Sequence, residues 1–130
     1  YVVEKIEHGL TKSNKNFKNC RILLLGLAYK KNVDDDRESV TFKIMELLTK
    51  KGAEVDYNDP YIPVIKPRRE YKQFVGKESV PLEHINQYDI TVVLTDHSVY
   101  DYGAIVERSE VVVDSRNACG KIKSAKIIKA

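Results

Sequence analysis

The chain has 130 residues, the size of one ordinary domain, and chains of this length bury about two-thirds of the surface that they expose when unfolded. Its composition, 42% hydrophobic and 32% charged, excludes a disordered chain, and no apolar run approaches the length of a membrane-spanning helix. The net charge of +3 is too small to indicate nucleic acid as a partner. We therefore expect a soluble domain that binds neither nucleic acid nor membrane.

The two cysteines, Cys20 and Cys119, lack the spacing of metal ligands, and no stretch has the pattern of a secretory signal peptide. This cysteine usage is typical of free thiols in a reducing compartment. We expect a cytoplasmic protein without a metal site.

The first ten residues predict a helix, because Val2, Val3, Ile6 and Leu10 recur on one helical face without a visible N-cap. The polar segment 11–19 then predicts a connector, with Phe17 as its anchor to the core. A helix that starts without a cap suggests that the native polypeptide continues upstream of it.

The stretch 21–52 predicts a strand, a polar loop and a helix. Residues 22–25 form a short apolar run that suits a strand buried on both faces, and Gly26 follows where the backbone must turn or be approached closely. After the loop, apolar residues recur at helical spacing until Gly52. Asp35 and Glu38 have the spacing of a capping box at the start of this helix.

The remaining elements complete an α/β pattern. A second strand at residues 54–57 makes a βαβ unit, and such crossovers are nearly always right-handed. Further predictions are a strand at 71–75, a helix at 81–86 capped by Ser79, strands at 90–94 and 111–113, a helix at 102–108 and a solvated lysine-rich tail. The predicted fold is a Rossmann-like three-layer sandwich with a mostly parallel sheet, preceded by an N-terminal helix.

Polar side chains follow three of the predicted strands, at the edge where α/β sheets bind ligands. Lys30, Lys31 and Arg37 follow the first strand, His97 follows a later one, and Arg116 follows the last. Lysine and arginine at this edge suit a phosphate or carboxylate. The alternative is a set of solvated charges, paired in the first loop with the acidic run 34–36.

Dinucleotide binding through the first turn is not indicated. That fingerprint needs three glycines in six residues, whereas only Gly26 is present here. Asp59 is also farther along the chain than the acidic residue of the fingerprint. This domain is therefore not predicted to be the primary NAD-binding domain.

The sequence is compatible with two further kinds of site. The acidic run 34–36 suits a magnesium site or a phosphoacceptor, but Arg116 stands where a phosphoacceptor domain needs a lysine, so a helix cap is the preferred interpretation. His97 is either a general base or, as we prefer, a structural histidine bonded to a neighbouring loop.

Four ordered segments, GLAYKKNVDDDRES, GAEVDYNDPYIP, VVLTDH and VVVDSRN, resemble the C-terminal domain of the UDP-glucose/GDP-mannose dehydrogenase family. These enzymes are nucleotide-sugar 6-dehydrogenases, and the spelling is most similar to the branch that acts on UDP-N-acetylhexosamines. The resemblance extends from Tyr1 to about Asn117. The chain departs from the common spelling at Val40, usually proline, and at Asn58, which interrupts the usual Tyr-Asp-Pro.

The resemblance implies a specific set of roles. Tyr29, Lys30 and Arg116 would contact a UDP-sugar, and Arg37 would reach NAD held by an N-terminal domain. Alternatives are a core position for Tyr29 and a surface salt bridge for Arg116. The family's catalytic cysteine lies in a central region, so the resemblance implies that neither cysteine of this chain is catalytic and that the isolated chain is inactive.

The resemblance also implies how the chain is organised. Residues 1–19 would be the end of an interdomain helix and a connector, and residues 20–130 the nucleotide-sugar-binding domain of a longer enzyme. Its partners would be its own N-terminal and central domains, in a homo-oligomer. A non-catalytic binding or assembly module stays open as an alternative function.

Overall fold

The computed structural model describes residues 1–37 and 39–130. The helices are α1 (Val2–Lys12), α2 (Thr41–Lys50) and α3 (Tyr102–Arg108), with 3-10 helices at Lys72–Phe74 and Leu82–Gln87. The strands are β1 (Arg21–Leu25), β2 (Glu54–Asn58), β3 (Ile90–Val93), β4 (Val112–Asp114) and β5 (Ile127–Lys129). None of the helices described is both long and apolar enough to cross a lipid bilayer.

The five strands form one sheet in the order β2-β1-β3-β4-β5, and every neighbouring pair is parallel. Leu24 of β1 lies between Tyr57 of β2 and Val92 of β3. All three side chains are fully buried. This sheet confirms the predicted Rossmann-like α/β class.

Successive residues of β1 point to opposite faces of the sheet, as the strand period requires. Ile22 and Leu24 belong to the core beneath α1 and α2, whereas Leu23 and Leu25 belong to the core beneath α3 and the second 3-10 helix. The sheet is thus covered on both faces, which explains why its strands are continuous apolar runs.

Helix α1 packs directly on the sheet, as its apolar face predicted. Ile6 and Leu10 are buried, and Phe17 in the connector is buried as well. A Cβ added to Gly9 would lie 2.7 Å from Ile90 Cδ1, so glycine permits the close approach of helix and sheet.

The predicted capping of α2 is wrong. Its N-cap is Val40, which has no side chain to accept a hydrogen bond, and Asp35 bonds Arg37 instead. Glu38, the other half of the predicted capping box, lies outside the described residues. The predicted stop at Gly52 is correct, since α2 ends two residues earlier and Gly52 has a positive φ of 99°.

In the segment between β2 and β3, one predicted element is wrong, and a second is correctly placed but wrong in its cap. Residues 72–74 form a 3-10 helix, not a strand, because Tyr71 adopts a left-handed φ of 56° and stacks on Phe42. The predicted helix at 81–86 is a 3-10 helix without a side-chain cap. Ser79, its predicted cap, accepts a hydrogen bond from Asp59 N instead.

The lysine-rich tail is not simply solvated. Ile127 and Ile128 are half-buried in β5, which pairs with β4 at the edge of the sheet. Lys126 Nζ donates to the carbonyl oxygens of Val106 and Glu107. These contacts tie the tail to the end of α3.

Candidate functional site

The ends of β1 and β3 meet where the strand order reverses, which is where open α/β sheets form their ligand crevice. Gly26 follows β1 with a φ of +103°, and a Cβ there would lie 2.3 Å from Thr95 Cβ. Both the backbone angle and the approach of Thr95 therefore require glycine at this turn. Thr95 Oγ1 also donates to Ala28 O at 2.7 Å, so the two strand ends are joined.

The buried carboxylate of Asp59 lies inside the turn after β1. The backbone amides of Leu27 and Ala28 donate to Asp59 Oδ2 at 2.8 and 2.9 Å, and Asp59 is only 1% exposed. In a dinucleotide-binding turn such amides face the pyrophosphate. Because Asp59 already occupies them, this turn does not fit the pyrophosphate of NAD.

His97 is held inside this network and is fully buried. Its Nδ1 accepts from Asn32 N at 2.8 Å and its Nε2 lies 2.9 Å from Asp59 Oδ2. An accepting Nδ1 carries no proton, so Nε2 carries the proton and donates it to the carboxylate. This geometry agrees with the structural interpretation of His97, since no face of the ring is available to a substrate.

Tyr29 and Lys30 lie in the loop after β1, near the point where the strand order reverses. Tyr29 N donates to Asp35 O at 2.9 Å, which folds the loop back on itself. The Tyr29 side chain is 40% exposed and Lys30 Nζ lies 5.6 Å from the centre of its ring. The structure therefore places Tyr29 at the surface, not in the core, where it is available for stacking.

Arg116 is oriented by backbone contacts after β4. The buried carboxylate of Asp114 accepts from the backbone amides of Arg116, Ala118 and Cys119. The guanidinium Nε of Arg116 donates to Leu94 O, at the end of β3, at 2.9 Å. Among the described residues no carboxylate forms a salt bridge with Arg116. Within the described residues, Arg116 therefore does not form the surface salt bridge that the sequence left open as an alternative.

Arg37 lies farther along the same loop, near the start of α2. Its Nη2 is 2.8 Å and its Nε 3.0 Å from the two oxygens of Asp35, and its side chain is 85% exposed. Hydrogen bonds from the Arg37 side chain and amide lower the pKa of Asp35 to about 2. Arg37 also lines a shallow surface pocket with residues 67–70, which follow β2, so its contacts differ from those of Arg116.

The match to known proteins covers most of these elements. Residues 23–121 match the UDP-glucose/GDP-mannose dehydrogenase family, UDP binding domain. The chain belongs to this family. The match includes the crevice, Tyr29, Lys30, Arg37 and Arg116, and it confirms the family that the sequence motifs indicated.

Individual relatives are similar to this chain over most of its length. The chain is 28% identical over 128 residues to a UDP-N-acetyl-D-mannosamine dehydrogenase of Methanocaldococcus jannaschii, covering 98% of this chain and 25% of the relative. It is 28% identical over 100 residues to a UDP-N-acetyl-D-glucosamine 6-dehydrogenase of Salmonella typhi, covering 77% and 23%. These names confirm the similarity to the N-acetylhexosamine branch. The chain spans about a quarter of the length of these relatives.

The fold matches a solved member of the family. A UDP-D-ManNAc dehydrogenase from Pyrococcus horikoshii superposes with a TM-score of 0.74 at 26% identity, covering 98% of this chain and 29% of that chain. The sheet and its helices therefore form a domain already seen within a dehydrogenase.

Within this family domain, both thiols are poorly suited to nucleophilic chemistry. Cys20 is 4% exposed and Cys119 is 1% exposed. Burial raises the pKa of each thiol to about 11, and for Cys119 the nearby Asp114 carboxylate adds to the effect. A thiol with such a pKa is almost entirely protonated at neutral pH, so it is a weak nucleophile.

The acidic run 34–36 is engaged by arginines. Asp35 binds Arg37, and Asp36 lies 3.3 Å from Arg68, whose guanidinium stacks over the Phe42 ring. Across residues 1–37 and 39–130, no three acidic, histidine or cysteine side chains group as metal ligands. The magnesium and phosphoacceptor alternatives gain no support from these contacts.

Sequence reasoning missed three residues that shape the site. Asn32, Asp59 and Asp114 each hold a loop by hydrogen bonds to backbone amides or to a second loop. The sequence carried a chemical signal for these residues, because asparagine and aspartate after strands favour such turns. In the structure Asn32 has a positive φ of 62°.

Proposed function

We propose that this domain binds the UDP moiety of a UDP-hexose or UDP-N-acetylhexosamine in an NAD-dependent 6-dehydrogenase that makes the uronic acid. The observation that supports this most is the family match over residues 23–121. The carboxyl edge of the sheet adds to it, because it presents cations and an exposed aromatic ring beside the crevice.

In this proposal Lys30, Arg116 and Tyr29 each have a defined role. Lys30 offers a mobile point charge to a phosphate, whereas the planar guanidinium of Arg116, oriented through its bond to Leu94 O, offers directed N–H groups. Tyr29 offers a ring for stacking against the base or sugar. None of the three is proposed to take part in bond making.

The oxidation itself is assigned to the rest of the enzyme. NAD, when bound, accepts the hydrides that the alcohol and aldehyde carbons lose. Because Asp59 occupies the turn after β1, we propose that NAD is held mainly by an N-terminal domain and that Arg37 contacts it from this domain.

The same proposal covers the wider assembly. Relatives are about four times as long as the chain, which supports N-terminal and central domains as its partners. We propose residues 1–19 as the end of an interdomain helix and connector, residues 20–130 as the binding domain, and a cytoplasmic homo-oligomer as the working form.

Calorimetry with UDP tests the proposed site. The wild-type chain is expected to bind weakly, because part of the pocket belongs to other domains. The double variant Lys30→Ala/Arg116→Ala should bind at least tenfold more weakly, since each charge-assisted hydrogen bond contributes about 1.5–3 kcal/mol.

The matched control is Lys12→Ala/Lys18→Ala, which removes the same charge from the exposed end of α1 and its connector. It should bind UDP like the wild type. Equal weakening by both double variants would reduce the effect to net charge, and unchanged binding by the first would remove both residues from the site.

A further inference from the structure

Asn32 connects the loop after β1 to the loop after β3 by three hydrogen bonds. Its backbone N donates to His97 Nδ1 at 2.8 Å. Its side-chain amide donates to Ser98 Oγ at 2.9 Å and accepts from Ser98 N at 2.8 Å. A residue that would otherwise sit in a solvated loop is thereby fixed to a neighbouring strand end.

The His97 side of this connection is rigid. The ring donates to Asp59, and the His97 carbonyl accepts from Tyr102 Oη at 2.9 Å. The rings of Tyr61 and Tyr100 lie 4.7 and 5.8 Å from the imidazole, between centroids. A fully buried ring with both nitrogens bonded and aromatic rings beside it holds one orientation.

We infer that Asn32 and His97 are positioning residues that preorganise Tyr29 and Lys30 for the nucleotide sugar. This inference rests on the proposed function. Tyr29 and Lys30 are three and two residues before Asn32, and Tyr29 N is itself bonded to Asp35 O. The short segment 29–32 is thus bonded at both ends.

The physical reason is conformational entropy. Lys30 and Tyr29 are exposed, so an unrestrained loop would lose freedom on binding and weaken the affinity. Fixing the loop beforehand removes that cost from the binding step. Asp59 contributes to the same effect, because one of its oxygens joins the His97 ring to the amides of Leu27 and Ala28.

The first test is Asn32→Gly, with Asn14→Gly as its matched control. Both asparagines are exposed and have positive φ, 62° and 58°, so glycine suits both backbones equally. Only Asn32→Gly removes the bonds to Ser98. Hydrogen exchange of the Tyr29 and residue-32 amides, measured by NMR on the ligand-free chain, should lose roughly tenfold in protection.

Calorimetry on the same two variants completes this test. UDP affinity should fall at least threefold for Asn32→Gly and stay at the wild-type value for Asn14→Gly, while their melting temperatures remain alike. Wild-type protection at residues 29 and 32, or an equal loss across the strand amides, would overturn the inference.

The second test separates positioning from stability at His97. In His97→Asn the amide reaches the place of Nδ1 and keeps an acceptor for Asn32 N, whereas in His97→Gln it reaches the place of Nε2 and keeps a donor for Asp59. Both variants lose the aromatic contacts. The residue-32 amide should keep its protection, relative to global stability, in His97→Asn and lose about tenfold in His97→Gln.

Equal loss in both His97 variants would make the histidine a purely structural residue. The exchange measurements need no ligand, so they decide the positioning inference separately from the proposed function. Failure of the wild-type chain to bind UDP would count against the UDP site alone.

Discussion

Arg37 forms an ion pair with Asp35 and, in the proposed function, also contacts NAD. Because its side chain is highly exposed, an experiment can separate these two roles. Its side chain is 85% exposed, and ion pairs in such solvent-screened positions contribute little to folding. Arg37→Ala should therefore barely move the melting temperature of this chain. In the full-length enzyme it should weaken NAD use, measured as kcat/KM for NAD, by roughly tenfold or more, the effect of one lost charged hydrogen bond.

Asp35→Asn is the control for this prediction. It weakens the local pair but keeps the guanidinium, so the NAD kinetics should stay near wild type. Because the pKa of Asp35 is lowered to about 2, the carboxylate stays charged down to that pH and the pair is present throughout any ordinary assay. Loss of stability with unchanged NAD kinetics in Arg37→Ala would make Arg37 a structural ion-pair partner.

The two thiols give a second prediction at the level of single residues. With a pKa of about 11, only about 0.1% of each thiol is thiolate at pH 8, and both side chains are buried. Native protein should react with a thiol-specific disulfide reagent far more slowly than protein unfolded in guanidinium, which should release two equivalents at once. Rapid reaction of one equivalent in the native protein would identify an accessible, activated cysteine.

Residue chemistry indicated cations after the predicted strands, and the family resemblance then singled out Lys30 and Arg116, but neither indicated Asn32 or Asp59. Lys30 and Arg116 follow predicted strands by five and three residues, at the edge where α/β sheets bind ligands. Asn32 acts on His97, 65 positions away, and Asp59 acts on Leu27, 32 positions away. Such pairs become visible only when the sheet order brings the strand ends together.

At the level of elements, Asp89, which immediately precedes β3, is bonded to β1 and to the connector after α1 at the amino edge of the sheet. It accepts from Arg21 N at 2.7 Å, at the start of β1, and from Lys15 Nζ at 2.6 Å, in the connector after α1. Burial raises the pKa of this carboxyl, but the bonds from Lys15 and Arg21 outweigh it, so the pKa is lowered. The stabilisation is therefore present above about pH 4 and lost as pH falls through the folded-state pKa.

Asp89→Asn should lower the free energy of unfolding by about 1–3 kcal/mol at pH 7. The difference from wild type should shrink as the pH falls below about 4, as urea denaturation at pH 7 and at acid pH would show. UDP binding should not change, because Asp89 is at the opposite edge from the crevice. A difference that is the same at pH 3 and pH 7 would show that the carboxylate charge is not what stabilises the contact.

The local sequence pattern did not predict the elements whose structure depends on tertiary contacts. Residues 127–129 lie within the predicted lysine-rich tail but form β5, because β4 offers an unpaired edge. The aromatic residues at 71–75 favour a strand, yet Tyr71 stacks on Phe42 and starts a 3-10 turn. By contrast α3 was predicted with its observed bounds, since Asp101 caps it locally by accepting from Ala104 N.

For the whole molecule, the sheet order explains why a Rossmann-like domain can lack a dinucleotide site. The strand order reverses between β1 and β3, but Asp59 accepts hydrogen bonds from the amides that a pyrophosphate would need. In the proposed function, binding therefore depends on the exposed side chains that follow the strands. We propose that the domain holds one end of the substrate while other domains hold the cofactor.

The last prediction follows from this division of labour. The purified 130-residue chain should bind UDP yet produce no NADH from any UDP-sugar, because its turn after β1 does not fit NAD and its thiols are buried and protonated. Absorbance at 340 nm with UDP-N-acetylhexosamines and UDP-glucose measures this. The full-length polypeptide is the positive control, expected to be active with at least one of these sugars. NADH production by the chain alone would mean that it carries a complete active site, and the proposed assignment of cofactor and nucleophile to other domains would be wrong.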